Sequence, residues 1–274
     1  MTGLRTAAGR AVKEAAALGD LVRSPERGVV VLIYHRVGGG ADIEVDLPAS
    51  LFDEQMAWLV ENRLAATIDD ALAGLDRSGS PPAVDAVVVT FDDGTADLID
   101  LALPILVRHR VPAVFYLSTD FVERSVAFPN DGRPMSWAGA REASSTGLVT
   151  IGSHTHTHAL LDRVDPVTAA NELDRSRQLI ADRVGVAAEH FAYPKALLGS
   201  PAAEALVRER FRSAALGGNR PNPYGRTDPH RLARSAIQRG DGMRFFERKA
   251  RGGMALEDRA RRALNRVRYL GRSA

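Results

Sequence analysis

Three of the seven histidines in this 274-residue chain fall within five positions, in the stretch GSHTHTH at 152–158. Imidazoles set close together repel once protonated and pack poorly beside aliphatic side chains. Such a cluster is either a solvated accident or a metal site. His154 and His158 are four apart, and one helical turn would put both on the same side, a spacing that lets two nitrogens grip one ion. His156 points elsewhere in that geometry and reads as solvated or supporting. Upstream, TFDDG (90–94) sets Asp92 and Asp93 side by side at the end of an apolar run. Adjacent carboxylates resist joint ionisation unless a cation is near. Alone, Asp-Gly after a strand reads as a turn. A metal on one carboxylate would leave the other free as a base. Each signal is weak by itself, and together they point to metal-assisted proton transfer.

These residues need elements to bring them together. Apolar, β-branched runs recur at 29–34, 86–91, 112–117, 148–153, 190–194, 211–216 and, more weakly, 232–237. Continuous apolar runs suit strands buried on both faces. Helix-like segments fall between them, at 50–62, 68–76, 96–109, 136–146, 166–184 and 200–210. About seven β-α repeats argue for a parallel sheet. His35, Asp92, Asp93 and His154 to His158 sit just after such runs, and Tyr193 sits at the end of one. Strand ends converge on one face of a closed barrel, whereas an open sheet gathers its site near one switch point. Four contributing strands favour the barrel. Residues 217–230 read as a long loop.

Composition narrows the chemistry. With 45% apolar and 26% charged residues, the chain reads as one ordinary soluble globular domain. It has no cysteine, so any metal must be held by His, Asp or Glu, which suits zinc. A net charge of +2 gives no reason to expect a nucleic-acid partner. From Arg244 to Ala274, however, ten Lys/Arg face three acids, with Met254, Leu256, Leu264, Val267 and Leu270 interleaved. That is either a solvated Arg-rich helix or a basic segment that touches anionic lipid or a phosphorylated carrier. The first 28 residues read as an amphipathic helix ended by Ser24-Pro25, without the apolar core of a signal peptide. No apolar run is long enough to span a bilayer. The expectation is a cytoplasmic protein, peripheral to a membrane if the basic tail binds one.

TFDDG and HTHTH together resemble the polysaccharide deacetylase family (NodB homology, carbohydrate esterase family four), whose pattern is TFDDG with H-[S/T]-x-x-H. LIYHRV (32–37), LALPILVRHRVPAVFYLST (101–119), MSW (135–137) and HFAYP (190–194) resemble its framework in the usual order. The resemblance covers about residues 29 to 240. It implies a NodB-homology domain at 28–243 folded as a distorted (β/α)7-type barrel; the N-terminal helix at 1–27 and the basic tail at 244–274 lie outside it. It also implies a divalent metal, usually zinc and in some members cobalt or nickel, held by Asp93, His154 and His158, with Asp92 as catalytic base. Three protein ligands leave a place for water. The implied reaction is removal of N-acetyl groups from an amino-sugar glycan or glycolipid precursor. A backbone N–H near Tyr193 would help the metal hold the oxyanion, and Trp137 and Tyr193 would offer faces for a sugar ring.

The sequence departs from the family in several places. The late L-x-L-x-H motif is absent, and HRLARSAIQRGD stands there with Arg234 after the leucine. Members with an early Tyr-His, like Tyr34-His35 here, look circularly permuted and fill the acid role with that histidine. His35 is thus the candidate acid, weighed equally against a role in merely orienting the first strand. Thr95 follows the Asp-Asp-Gly where Tyr is common, and Lys195-Ala196 replace an aromatic and a glycine after Tyr-Pro. This altered rim leaves two further readings in play: a deacetylase of another amide or ester, and a catalytically silent glycan binder.

Overall fold

A computed structural model describes residues 2–22, 24–76, 82 and 85–259. Seven parallel strands form the barrel: β1 (Gly28–Tyr34), β2 (Val87–Phe91), β3 (Ala113–Leu117), β4 (Val149–Ser153), β5 (His190–Ala192), β6 (Ser213–Gly217) and β7 (Leu232–Ala236). They pair in chain order, and β7 returns to β1 with Val31 opposite Arg234, so the sheet closes. One seam is thin: β4 and β5 share the single register pair Ser153–Phe191. All seven expected strands and the closed arrangement are therefore present.

The helices lie outside. They are α1 (Thr2–Val22), α2 (Ala49–Glu61), α3 (Ile68–Leu75), α4 (Leu103–His109), α5 (Thr119–Arg124), α6 (Trp137–Ser145), α7 (Pro166–Val184), α8 (Pro201–Arg210) and α9 (Gly242–Ala250). Sequence periodicity overlooked α5, which is too short to show one. The long loop at 217–230 carries Asn222–Pro223, which pairs antiparallel with β1. Asn222 bonds Val29 and Ala233 on strands that flank the closure.

Strand alternation sorts the side chains into two cores. Val88, Val31, Val114, Tyr116, Ala192 and Ala215 share the interior cluster. Val87, Val89, Phe91 and Phe115 belong to the layer between strands and helices. Period two therefore sends Val88, Thr90 and Asp92 inward in turn.

The terminal helices pack on each other through Ala16, Ala17, Phe245 and Met254. Beneath them Asp241 pairs with Lys13 and, at 2.9 Å, with Lys249. The front of the basic run is spent on surface contacts within the chain, with Arg244 on Glu14 and Arg251 on Asn62. Residues 260–274 of that tail lie outside the described residues. Among the described residues no helix is long and apolar enough to cross a membrane.

Gly152 shows how tightly β4 is built. A Cβ there would lie 2.6 Å from the Tyr116 ring and 2.8 Å from the backbone oxygen of His190. The Tyr116 ring is fully buried on β3, and the His190 oxygen cannot yield without opening the thin β4–β5 seam. Gly152→Ala should therefore cost about 1–3 kcal/mol, read as a lower urea midpoint with an unchanged slope.

Candidate metal centre and active site

Asp92 follows β2 into the top of the barrel and is buried. Its carboxylate accepts two hydrogen bonds from Arg234 of β7, from Nη1 at 2.6 Å and from Nη2 at 2.8 Å. Arg234 is itself fully buried; it also donates to Thr90 Oγ1 and lies over the Tyr116 ring. Burial alone would push the Asp92 carboxyl up. The Arg234 charge, helped by His154 and by the hydrogen bonds, outweighs that and holds it at about 2. The group is a carboxylate at any ordinary pH.

Asp93 diverges from its neighbour because its backbone turns into the left-handed region, with φ of 72°. Asp tolerates that region better than most residues. Gly94 follows at φ 99°, where a Cβ would also meet Leu117 at 2.9 Å. This turn sends one carboxylate into the barrel and the other to its rim.

His154 leaves β4 with its backbone N–H on Leu117 O. Its Nδ1 donates to the carbonyl oxygen of Ala192 at 2.7 Å, which leaves the Nε2 lone pair facing the two aspartates. Nε2 lies 3.7 Å from Asp93 Oδ1 and 3.8 Å from Asp92 Oδ2. His158 Nε2 lies 3.5 Å from the same Asp93 oxygen. Burial, with the neighbouring imidazole of His154, lowers His158 to about 4, so it is neutral near pH 7.

Asp93, His154 and His158 each bring one donor atom to within 4.8 Å of the others. Two donors about 2.1 Å from a tetrahedral zinc stand about 3.4 Å apart, close to the separations found here. One carboxylate and two imidazoles, one already oriented by the carbonyl oxygen of Ala192, fit a divalent ion.

The spacing of four has a different cause from the one expected. Residues 154–158 form a loop, not a helical turn. Thr155 and His158 take φ of 64° and 62°, and these reversals swing the second imidazole back over the first. The ring centroids are 5.0 Å apart.

A pocket of about 540 Å³ opens beside Asp92 and includes His35, Lys195, Asn219 and Gln238. His35 is therefore brought to the site, and its buried Nδ1 has no hydrogen-bond partner among the described residues. Two other expected residues are not. Tyr193 has the outward parity of Phe191, so its side chain is buried with Leu161, Leu173 and Phe211, and its own N–H is spent on Ala215 O. The Trp137 indole packs on the outer core and donates to Glu123. Among the described residues, no Phe, Tyr or Trp lines the pocket. Sequence reasoning noted Arg234 only as the occupant of a missing motif. The available signal was an arginine in the middle of the apolar run LARSA, a position that demands a buried acid.

A family model described as polysaccharide deacetylase matches residues 79–211. Over 141 residues the chain is 30% identical to the poly-β-1,6-N-acetyl-D-glucosamine N-deacetylase of Escherichia coli (strain K12). That alignment covers 48% of this chain and 21% of the relative, so the chain spans about a fifth of its length. Among solved structures, the Streptococcus pyogenes deacetylase PplD in complex with acetate superimposes with a TM-score of 0.71 at 18% identity, covering 82% of this chain and 99% of that one. IcaB from Ammonifex degensii gives 0.71 at 23% identity, covering 83% and 99%. At these identities the two structures speak to the fold.

The Asp92–Arg234 pair makes a sharp prediction. The Asp92 carboxyl lies below its ordinary 3.8 in the folded chain. Its stabilising effect is therefore present above about pH 4 and lost as pH falls toward about 2. Arg234→Met leaves a buried carboxylate unpaired and should cost about 3–5 kcal/mol. It should also raise the Asp92 titration, because burial is then opposed only by His154 and His35. Denaturant melts and a carboxyl-carbon NMR titration check the two effects separately.

Proposed function

Because residues 79–211 belong to the polysaccharide deacetylase family, we propose that this chain is a metal-dependent hydrolase that removes N-acetyl groups from an amino-sugar-containing glycan. The observation that carries the proposal is the division between two adjacent carboxylates. Asp93 faces two imidazoles, while Asp92 is held ionised by Arg234 and lies 3.8 Å from His154 Nε2.

Asp93, His154 and His158 would hold the ion, with zinc favoured by the donor set and cobalt or nickel as alternatives. A bound divalent ion supplies polarisation of an acyl oxygen and a more acidic water. The remaining work belongs to the chain. Asp92 accepts the proton of the attacking water; two hydrogen bonds from Arg234 fix its orientation and keep it charged. His35, on the same pocket, gives a proton to the departing amine. The loop after β5 carries Lys195 and Ala196 at φ of 52° and 57°, which shapes the rim beside the pocket.

A second reading has one observation in its favour. A pocket whose described lining has no Phe, Tyr or Trp suits one sugar ring, or another small acetylated amide or ester, better than a long stacked polymer. Acetate release from N-acetylglucosamine oligomers, acetylxylan and small acetyl esters, each with Zn2+ and with chelator, separates the two. Undiminished glycan binding under chelator, with no acetate released from any substrate, would instead make the chain a silent binder.

Single substitutions divide the roles. Asp92→Asn should lower turnover by roughly 10²–10⁴-fold and leave one Zn2+ per chain. His154→Ala should lose the Zn2+ itself. Equal metal loss in both would overturn the division between base and ligand, and full activity in His35→Ala would remove that residue from the acid role.

A further inference from the structure

The loop that carries His154 and His158 is held in a shape it would not choose. Thr155 and His158 both occupy the left-handed region, which costs an L-residue about 1–2 kcal/mol. A β-branched threonine is particularly ill suited to it. The turn also points two backbone N–H groups, those of His156 and Thr157, away from the metal ligands. Both find the same carboxylate. Glu172 of α7 accepts from His156 N–H at 2.9 Å and from Thr157 N–H at 2.7 Å on Oε2. Its Oε1 accepts the Thr157 hydroxyl at 2.8 Å. Glu172 is only 9% exposed, an uncommon burial for an acid that, among the described residues, bonds a turn rather than a cation.

The opposite edge of the loop is pinned by α5. Thr119 Oγ1 bonds His156 Nδ1 at 2.9 Å, and Asp120 N–H donates to His156 O at 2.8 Å. The histidine that faces away from the cluster therefore serves as an anchor. The loop is fixed between two helices, with Glu172 carrying three of the bonds.

We propose that Glu172 is a positioning residue for the metal centre: by clamping His156 and Thr157 it forces the reversal that returns His158 toward Asp93. It touches neither ligand, and its effect passes through the backbone. The inference rests on reading the Asp93–His154–His158 cluster as a metal site.

The test uses the full chain and Zn2+ alone, with affinity measured by competition against a chromogenic chelator. Glu172→Ala should weaken Zn2+ binding roughly 10- to 100-fold, the range seen when a supporting partner of a metal ligand is lost. Glu172→Gln should stay within about threefold, because its amide oxygen can accept both N–H groups while its NH2 donates to the Thr157 hydroxyl. Wild-type affinity in Glu172→Ala, or an equal loss in both variants, overturns the assignment. Should Glu172→Ala fail to fold, Thr157→Val removes one of the three bonds; it should weaken binding severalfold, and no change would overturn the clamp. Amide exchange in the metal-free chain gives an independent reading, with Thr157 N–H expected to exchange about tenfold faster in Glu172→Ala. If the wild type takes up no Zn2+, the metal reading fails and the clamp is judged by that exchange rate, unchanged exchange overturning it.

Discussion

A bidentate ion pair buried inside the barrel sets the terms for everything above it. Arg234 and Asp92 stand on strands that flank β1, and their side chains meet across the interior at 2.6 and 2.8 Å. Neither charge is affordable there alone, because the interior around them is Val, Ala and Tyr. The geometry makes the pair tolerable. A planar guanidinium matches a carboxylate edge, Thr90 takes another of its N–H groups, and the Tyr116 face covers the cation. Barrel closure is what brings β7 to β1 and so places the arginine within reach of the aspartate. The same contact thus ties sheet closure to the ionised state of a carboxylate at the site.

From that fixed point the rim follows by local backbone chemistry. The chain reverses at Asp93-Gly94, so that consecutive carboxylates serve different directions. Past the end of β4 a second reversal folds the His154–His158 loop toward Asp93, with Ala192 O orienting one imidazole. Left-handed residues are concentrated here, at 93, 94, 155, 158, 195 and 196. Strain of this kind persists where surrounding bonds outnumber it, and α5 and α7 supply those bonds around the histidine loop. The two terminal helices contribute from further away. They meet over Asp241, whose pairs with Lys13 and Lys249 join α1, α9 and the turn that carries Gln238 to the pocket.

Much of this was legible from residue order. Continuous apolar runs located all seven strands within a residue or two, because strands buried on both faces must be apolar throughout. The positions following those runs gave Asp92, Asp93, His35, His154 and His158, all of which meet at one end of the barrel. Tyr193 and Trp137 did not follow. Tyr193 shares the outward parity of Phe191, and a count of strand positions would have excluded it. Trp137 opens a helix whose indole turns to Glu123, which no sequence spacing discloses.

The sequence by itself determined the alternation of strands and helices, the polar residues at the strand ends, and the donor types that can hold a divalent ion. These depend on local patterning and on side-chain chemistry, both of which survive without coordinates. Tertiary structure decided which carboxylate faces the imidazoles, that Arg234 rather than a metal neutralises Asp92, and that a loop rather than a helix joins the two histidines. Each of those is a contact between residues dozens of positions apart, or a sign of φ set by such contacts, and only the closed barrel brings the partners within bonding distance.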